Sequence, residues 1–391
     1  MAESVIVAAV RTPIGSYLGS LSTVKGPQLG AIVIKELINR TGVKPEDISE
    51  VIMGCVLPAG MGQAPARQAA IYAGLPYSIP CTTINKVCGS GLKSVMLADQ
   101  AIKAGDAEII IAGGFESMSN VPYYLDKART GYRMGNATMI DGMVHDGLWD
   151  VYNNFHMGSA AEMCSREMNI TREEQDEFAE QSYKRAIKAM DEGLFKNEIV
   201  PVEIKDKKGT VIVTEDEDPK KANFEKGRTL KGAFDKEGTV TAFNSSSLND
   251  GASAIMVMSA AKAQELGLKP LAKIVAQGSF AQKPEWFTTS PAYAIKNVLA
   301  KAGLTVNDLD LVEANEAFAV QACAVNKLAE LDPEKVNVNG GAVALGHPIG
   351  ASGARILTTL LHSMNNRNAK RGLATLCIGG GEASAIIVER I

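Results

Sequence analysis

Short apolar runs bounded by glycine and polar residues recur along this chain, and longer stretches with apolar positions at helical spacing lie between them. Ala107-Glu108-Ile109-Ile110-Ile111-Ala112 is apolar at successive rather than alternate positions, which predicts a strand covered on both faces, as in a parallel sheet. Ile79 to Ile84 is short and β-prone and reads as another buried strand. Leu92 to Ile102 has helical spacing and stops at Gly105. Leu373 to Ile378 reads as a buried strand that opens into Gly379-Gly380-Gly381, and Asp310 to Ala314 as a strand ending at Asn315. Thr171 with Glu174 forms a capping box, so a helix starts there. Strands alternating with helices are the signature of an α/β fold.

The pattern also repeats. Gly42–Val51 has a counterpart in Gly303–Val312, 261 residues on, and Gly89-Ser90-Gly91 in Ala351-Ser352-Gly353, 262 residues on. Ala112-Gly113-Gly114 matches Ile378-Gly379-Gly380 at 266, and Val5–Ala8 pairs more loosely with Lys273–Ala276 at 268. A near-constant offset predicts two copies of one unit, the first formed by residues 1–118 with 244–272 and the second by 273–391. The segment between, 119–243, differs in texture and is densely charged from Lys205 to Lys236.

Three reactive side chains stand in glycine-rich backbone at strand ends. Cys88, in Asn85-Lys86-Val87-Cys88-Gly89-Ser90-Gly91, lies where a strand gives way to a helix. Unpaired N–H groups and the helix dipole there favour the thiolate, lowering a pKa of roughly 8.5 in free cysteine. Gly89 and Gly91 would keep the approach open for a bulky substrate. His347, between Gly346 and Pro348, sits in a rigid turn, and Cys377 precedes the triple glycine. In α/β sheets chemistry gathers beyond the carboxyl ends of strands, so two copies can set Cys88 and Cys377 face to face. Core packing is the reading for Cys55, Cys81, Cys164 and Cys323, and packing or surface for His362. Nothing assigns His145 a role. The charged stretch is either a solvated surface hairpin or a source of phosphate contacts through Lys220, Lys221 or Arg228.

Composition narrows the class. A chain of 391 residues, 46% hydrophobic and 21% charged, is ordinary for a globular protein of two or three domains. A formal net charge of −4 supplies no basic field for nucleic acid or a membrane surface. The start lacks a signal-peptide pattern and no 18-residue uncharged apolar run occurs, so a cytoplasmic protein is expected. Six cysteines in so long a chain do not make a disulfide framework, and none has zinc spacing, so no metal is expected. Neither a P-loop nor a G-x-G-x-x-G after a strand is present.

Together with Asn315-Glu316-Ala317-Phe318, the Cys88, His347 and Cys377 motifs resemble the thiolase family, specifically its short-chain acetyl-CoA C-acetyltransferases, over essentially the whole chain. The resemblance implies the thiolase fold: two βαβαβαββ-type halves stacked in five layers (α-β-α-β-α), with 119–243 as an inserted loop domain that cradles coenzyme A. It implies an acyltransferase that condenses two acetyl-CoA to acetoacetyl-CoA and CoA, and cleaves in reverse, through acetyl-Cys88. Coenzyme A thioesters are then substrates, with no permanent cofactor. His347 would take the Cys88 proton and, with a water held by Asn315, form one oxyanion site, while the N–H groups of Cys88 and Gly379 form the other. Cys377 would be the second base. His156, Phe234, Ser246 and Phe318 would lie along the coenzyme A groove, Met157 would border the acyl end, and Glu316 would either support by hydrogen bonding or be a solvated carboxylate. A homotetramer is implied, a dimer of dimers formed through sheet edges and the loop domain, with Tyr123 to Met143 as the tetramer contact. β-Ketoacyl synthases and hydroxymethylglutaryl-CoA synthases share the fold but lack a second cysteine before a triple glycine, and a non-catalytic binding relative would have no use for all three side chains. Phe243 and Ser247 stand where glycine is common in the family, and Glu382-Ala383 where Gln-Gly or a similar pair is usual. Met157 and Phe243 are expected to crowd any acyl chain beyond about four carbons.

Overall fold

A computed structural model describes residues 2–206 and 209–391. Among them, nine strands form one continuous path: β1 (Ser4–Arg11), β2 (Glu50–Gly54), β3 (Cys81–Ile84), β4 (Ile109–Ser117), β5 (Asn249–Ser259), β6 (Ala272–Ala281), β7 (Leu311–Ala314), β8 (Arg371–Ile378) and β9 (Glu382–Arg390). Their order is β7-β8-β9-β6-β1-β5-β4-β2-β3, with the two-residue strand Gly15–Ser16 added on β5. β1 and β6 pair through Val5–Lys273 and Ile6–Ala272, and this short seam divides the path into two half-sheets. Parallel pairing joins β2 to β3 and β4 in one half and β7 to β8 in the other, while β5 and β9 return antiparallel.

The longer helices are α1 (Gly26–Thr41), α2 (Pro65–Tyr72), α3 (Ser90–Ala104), α4 (Met157–Met168), α5 (Arg172–Asp191), α6 (Ser290–Ala302), α7 (Ala319–Leu328) and α8 (Ile349–Asn366). The strands are apolar on both faces because both are covered. Ile109 and Ile111 pack with α1 and α2 while Ile110 and Ala112 pack with α3 and α8. In the second half, Leu373 and Ile387 face α6 and α7, and Ala374 and Ile386 face α3 and α8. The result is five layers, α-β-α-β-α, with α3 and α8 between the two half-sheets.

Those two helices touch at their starts through glycine. A Cβ on Gly353 would lie 2.3 Å from the Leu92 nitrogen, and one on Gly91 2.8 Å from the Ala354 nitrogen. Gly91 therefore serves helix packing rather than substrate access, because its missing side chain is filled by the other half. β3 is half-exposed rather than buried, since it forms the end of the sheet. One repeat match also shifts. The N–H of Ser49 bonds Ile109 O (2.8 Å) as that of Asp310 bonds Arg371 O (3.0 Å), so Ile109 and Arg371 are equivalent, at the 262-residue offset. Gly113 and Gly114 consequently lie inside β4, whereas Gly379 and Gly380 lie beyond β8; the 266-residue match was not structural.

In the segment from Ser119 to Leu248, Thr171 caps α5 as expected, its hydroxyl accepting from the Glu174 N–H at 3.2 Å. The strands Val202–Asp206 and Gly209–Val213 form a hairpin exposed at its centre, and Lys207 and Lys208 lie outside the described residues. The charged stretch is not all solvated, because Asp216 is buried in a two-pronged contact with Arg11 (2.6 and 2.9 Å). Arg11 also bonds Glu198 at 2.6 Å and lies over the Phe195 ring, so this buried cation is met on every side. Gly353→Ala would push α8 off α3. It is expected to lower stability by ~1–3 kcal/mol, as overpacking does, measured by urea unfolding; an unchanged midpoint would refute the packing role.

Candidate active site

The turn from β3 into α3 holds its shape against strain. Val87 has φ +45°, a left-handed conformation that is costly for a β-branched residue. Three side-chain bonds hold it: Asn85 Oδ1 accepts from the Val87 N–H (2.9 Å), and Ser90 Oγ accepts from the Lys86 N–H (2.8 Å) and donates to Val87 O (2.7 Å). A Cβ on Gly89 would meet Ile378 Cδ1 at 2.4 Å, so glycine there lets the end of β8 close in on the turn. The backbone N–H groups of Gly379 and of Cys88 itself lie near the Cys88 sulfur and favour its thiolate.

The second half supplies the histidine on a matching turn. Gly346 has φ +100°, and a Cβ there would lie 2.3 Å from Asn249 Oδ1, so the position admits glycine alone on both counts. Buried Asn249 accepts the His347 N–H (2.9 Å) and donates to Gly15 O (3.0 Å) and Asp218 Oδ2 (2.8 Å). Ser352 Oγ lies 2.6 Å from His347 Nδ1 and donates to Pro348 O at 2.9 Å. Donation to Pro348 O leaves Ser352 as the acceptor from Nδ1–H, and on that arrangement we assign the tautomer with a free Nε2 lone pair. Buried Nε2 has no hydrogen-bond partner among the described residues.

Cys88, His347, Cys377 and Gly379 line one cleft of about 320 Å³. Its walls include the expected His156, Met157, Phe234, Ser246 and Phe318, and also Met118, Met143 and Phe287, which carried no signal in the sequence beyond being apolar. His156 stacks on Phe234 at 4.8 Å, and Phe318 stands edge-on to Phe234 (6.3 Å) and Phe287 (6.4 Å). The Ser246 hydroxyl is committed to Ala317 O at 2.9 Å.

The other residues singled out in the sequence lie off the cleft wall. Lys220 pairs with Glu215 and Asp191, Lys221 with Glu217, and Arg228 with Glu180. None of the three is on the cleft wall, and each sits at the surface beside these carboxylates. Phe243 does not crowd the acyl end either; it is buried behind the wall, stacked on Tyr183 at 5.6 Å and edge-on to Phe224. Glu316 is no solvated carboxylate, since it is buried and accepts from Ser182 Oγ (2.7 Å), Asn337 Nδ2 (2.8 Å) and the Val343 N–H (3.2 Å). Asn315 lies outside the cleft wall, its N–H on Thr375 O (2.9 Å), its Oδ1 beside Arg355 Nη2 (3.4 Å) and its Nδ2 without a partner among the described residues. His145 is exposed, and His362 meets Ala9 O at 3.0 Å. Missed entirely was Glu116, which is buried and accepts from the N–H groups of Val56, Leu57 and Gly350, bracing the start of α8. A carboxylate inside the apolar run of β4 was its sequence signal.

Burial sets the electrostatics. It pushes the Cys88 thiol up to about 11 despite the two N–H donors. The helix-start effect expected from sequence loses because α3 begins two residues later, at Ser90, while desolvation acts on the sulfur directly. Burial, then the Arg355 charge, lowers His347 to about 3. Burial and the neighbouring Cys88 raise Cys377 well above a free thiol. All three rest neutral near pH 7. Among the described residues, no group of three His, Cys, Asp or Glu could hold a metal ion.

Two stacked α/β halves that bring a cysteine, a lone-pair-bearing histidine and a second thiol into one apolar cleft define an enzyme of thiol chemistry. Family profiles narrow this: "Thiolase, N-terminal domain" matches residues 4–261 and "Thiolase, C-terminal domain" residues 268–390. The chain belongs to the thiolase family. It is similar to the acetyl-CoA acetyltransferase of Cupriavidus necator, 57% identical over 100% of both chains, and to that of Schizosaccharomyces pombe, 52% identical over 100% of this chain and 99% of the other. The crystal structure of the Bacillus anthracis acetyl-CoA acetyltransferase superposes with a TM-score of 0.98 at 42% identity, over 100% of this chain and 99% of that one.

A neutral thiol makes a clear pH prediction. Since Cys88 titrates upward of neutrality, its alkylation by iodoacetamide in the free enzyme should rise about tenfold per pH unit between about pH 6 and 9. A flat rate over that range would indicate a preformed thiolate–imidazolium pair. Ser352→Ala should lower kcat by roughly ten- to a hundredfold by freeing the wrong tautomer; full activity in this variant would overturn the tautomer assignment.

Proposed function

We propose that the chain is an acetyl-CoA C-acetyltransferase that makes acetoacetyl-CoA from two acetyl-CoA and cleaves it in reverse, with Cys88 as the acyl carrier. The observation that carries this is the meeting of Cys88, the free His347 Nε2 and Cys377 in one small apolar cleft. The names of the relatives support the acetyl substrate.

The neutral resting state suggests how protons move. Cys88 Sγ attacks the thioester carbonyl as its proton passes to His347 Nε2, and the N–H groups of Cys88 and Gly379 receive the oxyanion. The departing coenzyme A sulfur takes the Cys377 proton, leaving acetyl-Cys88, imidazolium and a Cys377 thiolate. The Cys377 thiolate then takes the α-proton of the second acetyl-CoA, while imidazolium Nε2–H and a water at Asn315 Nδ2 meet the enolate oxygen. The new bond forms at the acetyl carbon, and Cys88 leaves and recovers its proton from His347.

Met157 and Phe287, with Phe318, rather than Phe243, limit the acyl end in this reading. Four-carbon 3-ketoacyl-CoA should be cleaved best, and turnover rising from four to ten carbons would sink the short-chain assignment. Cys88→Ala should abolish acetyl-enzyme formation. Cys377→Ala should accumulate acetyl-Cys88 yet lose condensation by several orders of magnitude, of the order of ~10³ or more. Intact-mass and peptide analysis decides, and an acetyl group found on Cys377 of the unaltered enzyme would reverse the roles.

A tetramer is also proposed. The hairpin of Tyr123–Tyr124 with Ile140–Asp141 carries Tyr123, Leu125, Met134 and Met139 in exposed positions, an apolar surface that a second dimer would cover. Light scattering that returns a 41.4 kDa monomer would refute it. No described helix is long and apolar enough to cross a membrane, and a cytoplasmic setting remains the reading of the sequence.

A further inference from the structure

The two oxyanion donors come from different halves of the molecule, so their spacing depends on how two turns are held together. The turn of Cys88 is internally braced by Asn85 and Ser90. The turn of Gly379 is not, because it consists of three glycines, of which Gly380 and Gly381 have φ +90° and +88°. Its far side is anchored within its own half, where Gly381 O accepts from the Gln282 N–H (2.9 Å) and Ser290 Oγ (2.8 Å). Gly379 itself has open surroundings: a Cβ there would meet nothing nearer than Val87 Cγ1 at 3.5 Å, and packing does not fix it.

A charged link crosses the gap. Lys86 Nζ forms an ion pair with Glu382. Lys86 lies two residues before Cys88, and its backbone is part of the nucleophile turn, bonding Ser90 Oγ through N–H and Gly89 N–H through O (3.0 Å). Glu382 is the first residue of β9, paired with Ile378 across the glycine turn. The pair is only partly exposed, 24% at Lys86 and 37% at Glu382, so water weakens it less than a pair on the open surface.

We propose that Lys86 and Glu382 form a positioning pair, clamping the Cys88 turn of the first half to the glycine turn of the second and thereby setting the distance between the N–H groups of Cys88 and Gly379. Neither side chain lines the cleft or touches the reacting atoms. The clamp acts on the transition state rather than on coenzyme A binding, because the oxyanion is fully developed only there. The inference rests on the acyl-transfer reading given above.

Charge swapping tests it. Thiolysis of acetoacetyl-CoA is measured for the unaltered enzyme, Lys86→Glu, Glu382→Lys, the double swap and the uncharged Glu382→Gln, with thermal unfolding of each. Glu382→Gln should lose about two- to fivefold in kcat with KM for acetoacetyl-CoA unchanged, the range expected for a half-exposed pair. Each single reversal should lose about tenfold or more, and the double swap should regain most of that loss. Added salt should slow the unaltered enzyme and leave Glu382→Gln indifferent. A double swap no better than the singles, or folded single variants with unaltered kcat, would overturn the proposal. A rise in KM at constant kcat would also overturn it, since that would make the pair a binding element. An unaltered enzyme that fails to cleave acetoacetyl-CoA would overturn the acyl-transfer reading itself and the clamp with it.

Discussion

The backbone contact between α3 and α8 organises this molecule. Each central helix begins at a turn that lines the cleft, α3 after Cys88 and α8 after His347, and the helices touch where Gly91 and Gly353 remove the side chains that would hold them apart. Because the helices belong to opposite halves, their contact is what places Cys88 and His347 in one cleft. The repeated serines show the same economy of design. Ser90 and Ser352 each donate to a carbonyl just upstream and accept from the neighbouring catalytic turn, one from the Lys86 N–H and the other from His347 Nδ1. A duplicated helix start thus became a brace for a thiol in one copy and a tautomer lock in the other.

Dryness is the second constraint. A buried cleft raises both thiols and lowers the imidazole, so no charge is stored at rest. The reaction must create its charges in sequence, each next to a donor already in place. Arg355 contributes at a distance: it is buried beside Glu313 and Asn315, and its charge helps to keep the His347 imidazole neutral at rest. The segment between the halves completes the cleft by covering it with the His156–Phe234 stack, and Asp218 ties that segment through Asn249 to the backbone of His347.

Much of this was legible along the chain. The doubled α/β pattern, the strand ends carrying Cys88, Asn315 and Cys377, and the glycine-framed His347 are local features, because strand periodicity, helix starts and left-handed turns are written in neighbouring residues. His156, Met157, Phe234, Ser246 and Phe318 came with the family resemblance, and the structure gathers them in one cleft.

What only the tertiary structure decided are the matters in which distant segments compete for one space or one charge. Lys220, Lys221 and Arg228 face carboxylates rather than the cleft, Phe243 turns into a separate aromatic cluster, and Gly91 yields to a helix rather than a substrate. The protonation of Cys88 fell on this side as well: a helix start is a local property that favours thiolate, but desolvation depends on everything packed around the sulfur, and here it is the larger effect. Sequence alone determined which chemical groups this protein owns and at which turns. The folded chain decided which of them meet, because burial and long-range pairing are summed over residues that the sequence keeps hundreds of positions apart.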